Sequence, residues 1–484
     1  MHNAGVMSLR PDTLPASTAP YRPHDAFDLD VLMQSLSDLL LSTDAADRER
    51  AGTDYHWYSP RLTQSLQGRW PDLVVRPRSS DEVKRVAAAC ARHRVPLTVR
   101  GGGTGNYGQC VPLFGGVSLD MTGLNRVLRI EPGWASVEAG LLIHELNRAA
   151  RDTGQQLCMW PSTEQLATLG GFIAGGHSGI GSIRHGILAD PGNVRRLRIV
   201  TLEDPPRVLD LEGADIQKAH HAYGSNGIIT EVEVALTPLV PWRHTVTVFN
   251  SYGDVLRFGL AVGASALQPG RPIDVFQLSA VECRITPYYA GLRSVLQGSD
   301  AMFAQVSPQT LPRYTELAER LGGRVVVQGS EAELIALGLP TASECAYNHT
   351  TLEALKSDRG VTYLQVAYPG PLNPKLVAAQ MQRFGDEVFM HHEFSQAGGQ
   401  LMAFALPLVQ YFDEDQLHTL KASFEADGCT IFDPHTWVLE DGGMKQVDDN
   451  QLGFKKVADP LGLMNPGKVR AWDEQVLGIP GGRL

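Results

Sequence analysis

Along residues 28–42, DLDVLMQSLSDLLLS, apolar side chains return every three to four positions, a period that predicts a helix. Residues 77–103, PRSSDEVKRVAAACARHRVPLTVRGGG, read as a second unit. Ser80 is expected to cap a helix with Val83, Val86 and Ala87 on one face. Pro96 ends that helix, LTV starts a strand, and a glycine loop follows. GGVSLDM, NRVLRIEPGWASVEAG and GQQLCMW are strand-like, and LLIHELNRAARDTG is an amphipathic helix closed by Gly154. RLRIVTL, PRVLDL and IITEVEVALTPL complete an α+β unit over residues 71–239. PLVPWRH, residues 238–244, marks a boundary. Beyond it a second α+β region carries helices such as PRYTELAERLG and strands such as RVVVQG. The tail, LGFKKVADPLGLMNPGKVRAW, is compact and contains a Pro-Gly turn.

Composition narrows the classes. A chain of 484 residues with 43% hydrophobic content suits two or three globular domains. The net charge of −11 gives no basis for binding nucleic acid or an anionic membrane. No apolar run is long enough to span a bilayer, and the polar, Pro-rich N-terminus reads as a loose arm over 1–26 without a signal peptide. Six scattered cysteines without a CxxC pair fit reduced thiols, and the expected location is cytoplasmic.

The glycines raise the chemical question. VRGGGTGNYG, residues 99–108, contains a GxGxxG match. A dinucleotide fingerprint of that form needs a helix directly after the glycines, and QCVPLFGG follows instead. No GK[ST] is present, so a P-loop fails too. Two readings remain, a flexible turn or a backbone cradle for an anion to which Arg100 could add charge. A second glycine-rich stretch, PSTEQLATLGGFIAGGHSGIGSIRHG at 161–186, favours the cradle. A third, HAYGSNGIITEVEV, places small residues before a strand.

Together with RPRSSDEV and DPLGLMNPGKV, these segments resemble the FAD-binding domain of the vanillyl-alcohol oxidase and p-cresol methylhydroxylase superfamily over roughly residues 70–240. The resemblance implies an α+β fold of two domains: an FAD-binding domain over 27–240 with its core at 70–240, and a substrate or cap domain over 241–440. A C-terminal segment, 441–484, returns to the FAD domain. It implies that Gly101, Gly102, Gly103, Thr104, Gly105 and Asn106 wrap the FAD pyrophosphate. Pro161, Ser162, Thr163, Thr168, Gly170, Gly171, Ala174, Gly175, Gly176 and His177 would border the diphosphate, ribityl chain and flavin. Ile229 would meet the adenine side, and Asn465 and Lys468 would approach from the tail. Many relatives attach FAD through a histidine where this chain has Thr104, and no cysteine matches the second linking site, so non-covalent FAD is expected. The metal-linked SGEHG signature of the 2-hydroxy-acid branch is missing, and no metal site is expected.

The resemblance implies an FAD-dependent oxidoreductase. It would move a hydride from a small alcohol, 2-hydroxy acid or phenolic substrate to flavin N5, with electrons passing to a quinone, redox protein or oxygen. Ala139, at a position where the family's oxidases often have Gly or Pro and its dehydrogenases Ala, tilts the reading towards a dehydrogenase. A histidine base suits the chemistry: His349, His435, the pair His391 and His392, and His177 compete, with His349, His392 and His435 favoured, and Arg184 could offset charge on the reduced flavin or bind a substrate carboxylate. Two other classes stay open, an electron-relay FAD subunit of a larger complex and a structural protein without cofactor. A homodimer is a possible assembly.

Overall fold

The structure, a computed structural model, describes residues 19–23 and 25–482. Most of the N-terminal arm expected over 1–26 lies outside the described residues.

The first layer is a four-stranded sheet in the order Leu41–Ser42, Leu73–Val75, Val117–Asp120, Leu97–Arg100, its last three strands parallel. Helix Ser80–His93 lies against it, burying Val83, Val86, Ala87 and Cys90. The cap is Ser79 rather than Ser80: its Oγ accepts from Glu82 N–H. The helix predicted over 28–42 stops at Ser35. Leu41 and Ser42 leave it because they find ladder partners on Val75 and Val74, and tertiary pairing overrides a weak local preference.

A second, antiparallel sheet runs Val127–Glu131, Trp134–Glu138, Ile228–Pro238, Val194–Val200, Val208–Glu212, with Gln155–Leu157 also paired to the long central strand. Alternation along Ile228–Pro238 buries Ile228, Val232 and Val234 and turns Glu231 and Glu233 outward to Arg196 and Arg198. Between Gln109 and Val117 there is no helix, so the first glycine loop runs from strand to strand, as QCVPLFGG requires.

Residues 243–432 build an eight-stranded sheet, in which Arg243–Phe249, Asp300–Val306, Val275–Val281 and His391–Ala397 are neighbours. Helix Tyr252–Ala266 packs on it through Val255, Phe258 and Val262. The sheet continues through Gln400–Ala405, Gln365–Ala367 and Thr430–Phe432. Those last strands face the first two sheets across a cleft.

The tail closes back on the beginning of the fold. Leu463 and Met464 join the core beneath the first sheet, and Leu97 N–H donates to Leu463 O at 2.8 Å.

Candidate active site

The cleft encloses about 1800 Å³ of space, its open mouth included. One wall is backbone. Gly101–Asn106 lines it together with Pro161, Ser162, Thr163, Thr168 and Gly170. Ala174, Gly175, Gly176, His177 and Ile229 extend the same wall, as does Gly171. The two glycine segments are in close contact. A Cβ on Gly102 would sit 1.9 Å from Leu166 O, and one on Gly101 would sit 2.0 Å from Thr168 Oγ1. Gly103 has φ +66°, a conformation that side chains resist. Among the described residues, none accepts a hydrogen bond from the backbone N–H groups of residues 102–106. A row of free N–H groups, with the Thr104 and Thr163 hydroxyls 3.3 Å apart beside it, suits a dianionic pyrophosphate.

The stretch expected to lie flat is partly helical. Leu169–Gly175 forms a short helix whose N-cap, Thr168, accepts from Gly171 N–H at 3.2 Å. Gly170 N–H donates to Ala139 O at 2.8 Å, which places Ala139 on the lining.

Three residues expected at the cofactor stand behind the wall. Arg100 donates to Ala51 O at 3.2 Å and to Cys110 Sγ at 3.3 Å, so its guanidinium supports the loop from beneath. Asn465 Nδ2 donates to Gln109 O and Tyr223 O, at 2.7 and 2.6 Å, tying the first glycine loop to the third glycine segment. Lys468 is fully buried and donates to Gly108 O at 2.6 Å. Burial pushes its ammonium down to about 7, against the pull of Asp54 and Cys110.

The catalytic candidates need correction, because neither the three histidines of the cap nor Arg184, which precedes it in the chain, lines the cleft. His392 is buried in the cap core, with Nδ1 2.8 Å from Tyr252 OH, and burial pushes its imidazole down to about 3. His435 lies between Ser59 Oγ at 2.7 Å and Tyr363 O at 2.9 Å. His349 sits one residue beyond the lining, in helix Asn348–Ser357, with its imidazole lowered by burial. Arg184 is paired with Asp274 at 2.8 Å and stacked over Trp242. On a strand or helix, a shift of one position turns a side chain to a different face, and spacing alone did not tell which face met the cleft.

Among the described histidines, His177 alone lines the cleft. Burial holds its imidazole below the usual value. Its ring contacts Phe404 and Phe432, both at 6.2 Å between centroids. Tyr347 and Asn348 of the cap also reach the lining. Tyr347 adopts φ +49°, held by its N–H on Glu393 Oε1 at 2.7 Å, while its hydroxyl donates to Gly179 O at 2.8 Å. Strained backbone of this kind clusters at functional sites. Sequence reading missed Phe404, Phe432, Gln365 and Cys110 on the lining. Strand alternation could have flagged Phe404, but it gave no clue to which face lay towards the glycine wall.

Comparison with known proteins decides the family. The FAD binding domain family matches residues 71–204. The glycolate oxidase subunit GlcD of Bacillus subtilis (strain 168) is 30% identical over 449 residues, covering 86% of this chain and 92% of that protein. This chain belongs to the same family of FAD-linked oxidoreductases. A D-2-hydroxyglutarate dehydrogenase of Escherichia coli (strain K12) is 36% identical over 185 residues, which is 36% of this chain and 18% of that protein. A solved alkyldihydroxyacetonephosphate synthase superposes with a TM-score of 0.69 at 17% identity, covering 94% of this chain and 88% of that one, a likeness of fold. The chain is an FAD-dependent oxidoreductase with a PCMH-type FAD-binding fold. No helix among the described residues is long and apolar enough to cross a membrane, and no group of three or more His, Cys, Asp or Glu there could hold a metal ion.

Proposed function

We propose that this chain holds FAD without a covalent link and oxidises the CH–OH carbon of a small hydroxylated substrate bound under the cap. The hydroxylated class comprises a 2-hydroxy acid or an alcohol, including a phenolic compound whose reacting hydroxyl sits on its benzylic carbon. The arrangement of His177 on the cap-facing end of a wall of free backbone N–H groups carries the reading. When bound, FAD supplies the two-electron acceptor for a hydride leaving the substrate carbon. The loop 101–106 holds the pyrophosphate, and the Ser162 and Thr163 hydroxyls flank it. An unprotonated ring nitrogen of His177 takes the hydroxyl proton as the C–O bond becomes C=O, so one hydride and one proton leave the substrate. The lowered imidazole keeps His177 unprotonated near neutral pH. Tyr347 and the apolar cap residues exclude water from this end.

The names of the relatives, a glycolate oxidase subunit and a D-2-hydroxyglutarate dehydrogenase, support hydroxyl oxidation. With Ala139 on the lining, the electrons go to a quinone or redox protein in preference to oxygen. Anaerobic bleaching of the bound flavin by a panel of hydroxylated compounds tests the reaction. Acid precipitation tests the attachment, and a yellow supernatant over a white pellet is the expected result.

A second reading, an electron-relay subunit, is favoured by the word subunit in the name of the Bacillus relative. Turnover of the isolated chain with an artificial dye acceptor would dismiss it.

A further inference from the structure

We propose that the backbone N–H groups of His177 and Ser178, with the Asn348 amide, seat the single carboxylate of a 2-hydroxy acid whose side group is uncharged. The inference rests on the reading of this cleft as the place of oxidation, and it assigns the part of the substrate that the His177 imidazole does not touch.

The N–H groups of residues 176–180 are committed at every position but two. Gly176 N–H donates to Phe172 O at 2.7 Å, Gly179 N–H to Ser182 Oγ at 2.8 Å and Ile180 N–H to Trp160 O at 2.8 Å. Among the described residues, nothing accepts from the N–H groups of His177 and Ser178, and both residues line the cleft. Their direction is set by the carbonyl of each peptide. Gly176 O accepts from His221 Nδ1 at 2.9 Å, and His177 O accepts from Leu188 N–H at 3.0 Å. His221 is buried, and Leu188 belongs to the core beneath the glycine wall. A trans peptide turns its N–H opposite to its C=O, so both N–H groups point away from those two partners. Gly179 O accepts from the Tyr347 hydroxyl at 2.8 Å, so the cap itself fastens the segment.

The cap supplies the other half of the seat. Asn348 follows Tyr347 and lines the cleft, and no described residue donates to its buried Oδ1. Turned over, that amide presents Nδ2 in the same place, a donor. The His177 ring touches aromatic rings and hydrogen-bonds to no described residue. A 2-hydroxy acid carries its hydroxyl and its carboxylate on neighbouring carbons. Here a base and two peptide donors come from neighbouring positions of the chain, so one short substrate engages both.

Charge sets the selectivity. Among the described residues, no Lys, Arg, Asp or Glu lines the cleft, and Arg184 is committed to Asp274. The carboxylate is held by dipoles alone, as backbone donors hold anions elsewhere. Helix Asn348–Ser357 begins on the lining without a capping side chain, and its positive end adds to the same field. A second carboxylate, on the side group, would meet Phe404, Phe432, Val366 and Leu406 and lose its water without gaining a partner.

The test uses the holoenzyme and three inert probes without a hydrogen on the hydroxyl-bearing carbon: 2-hydroxyisobutyrate, its amide, and citramalate, which adds a second carboxylate. Binding is followed by calorimetry and by perturbation of the flavin spectrum. 2-Hydroxyisobutyrate is expected to bind at least about tenfold more tightly than either. Asn348→Asp sets a like charge at the seat while favouring the helix start, so folding and flavin content should hold. It should weaken the acid by about tenfold and the amide by much less. Binding of the acid no tighter than the amide overturns the seat and leaves the two N–H groups to the flavin carbonyls. Undiminished acid binding by Asn348→Asp overturns it too, and equal binding of citramalate overturns the limit to one carboxylate. Oxidisable compounds, mandelate in both enantiomers and 1-phenylethane-1,2-diol, then separate the seat from the reaction. Faster anaerobic bleaching by the diol overturns the seat and leaves the oxidation reading standing. Preference for the inert acid with no bleaching by mandelate, lactate or the diol upholds the seat and overturns the oxidation reading.

Discussion

The two walls of the cleft are made of different material. The wall built by residues 101–106 and 161–177 is backbone, with glycines where a Cβ would strike Leu166 O or Thr168 Oγ1. The cap wall is side chain, with Tyr347, Asn348, Phe404 and Phe432 carried on a helix and two strands. A backbone wall suits a feature common to every FAD, the pyrophosphate. A side-chain wall can be re-cut with less disturbance to the fold, which makes it the side where selectivity is expected to vary.

That division predicts opposite outcomes for mutation on the two sides. The largest effect belongs to the backbone wall. Gly102→Val brings a branched side chain against Leu166 O, and the purified variant should lose most of its FAD. Phe432→Ala should retain it. Flavin absorbance per protein, checked against circular dichroism for folding, measures both. A Gly102→Val protein with full flavin would remove the loop from the cofactor site.

Next in size is the boundary between the walls. His177→Ala should slow anaerobic flavin reduction by about 10²-fold at unchanged flavin content. His349→Ala should leave the rate within a few-fold of the parent, since His349 lies off the lining. A reversal of that order would return catalysis to the cap helix.

A smaller effect is expected at Ala139, where the methyl group lies on the lining beside Gly170. Ala139→Gly opens space there, and reoxidation of the reduced enzyme by air should quicken by about tenfold, with more hydrogen peroxide. Fast reoxidation of the parent itself would make it an oxidase.

The smallest effect is spread through the fold. Burial pushes His221 and His392 down to about 3, and His244 and His435 down to about 4. The unfolded chain therefore binds these protons at a higher pH than the native one. Their stabilising contribution is complete above the unfolded value of about 6.5 and falls away as pH drops towards 4 and 3. Glu164 and Asp473, raised to about 7, and Asp300, raised to about 6, work in the opposite direction, but they are fewer. The melting temperature should drop by several degrees between pH 7 and pH 5. A flat profile over that interval would mean that the carboxyls cancel the histidines.

The difference between the walls also explains what could be read in advance. Glycines at 101–103 and 170–171 announce themselves, because a backbone that must touch another backbone leaves its requirement in the residue type. The tail motif DPLGLMNPGKV was equally visible, but its task was not. Asn465 and Lys468 look like ligands in a string of letters and turn out to be struts behind the loop. The cap histidines were visible and misplaced for a related reason. His392 and Phe404 both sit on strands of one sheet, and only the folded register shows that the first turns to Tyr252 and the second to the cleft. The helix predicted through residue 42 failed similarly, since its last two residues answered to Val74 and Val75.

The strut formed by Asn465 has a consequence in time. The amide that joins Gln109 O to Tyr223 O lies near the far end of the chain from the loop it secures. A ribosome therefore completes the first glycine loop long before its brace. Until the brace arrives, Gln109 and Tyr223 lack their shared donor, and the first glycine loop lacks its tie to the third glycine segment while Gly105 O still accepts from Tyr55 N–H. A chain released before Asn465 is expected to hold FAD more weakly than the full one, and flavin absorbance per protein would measure the difference.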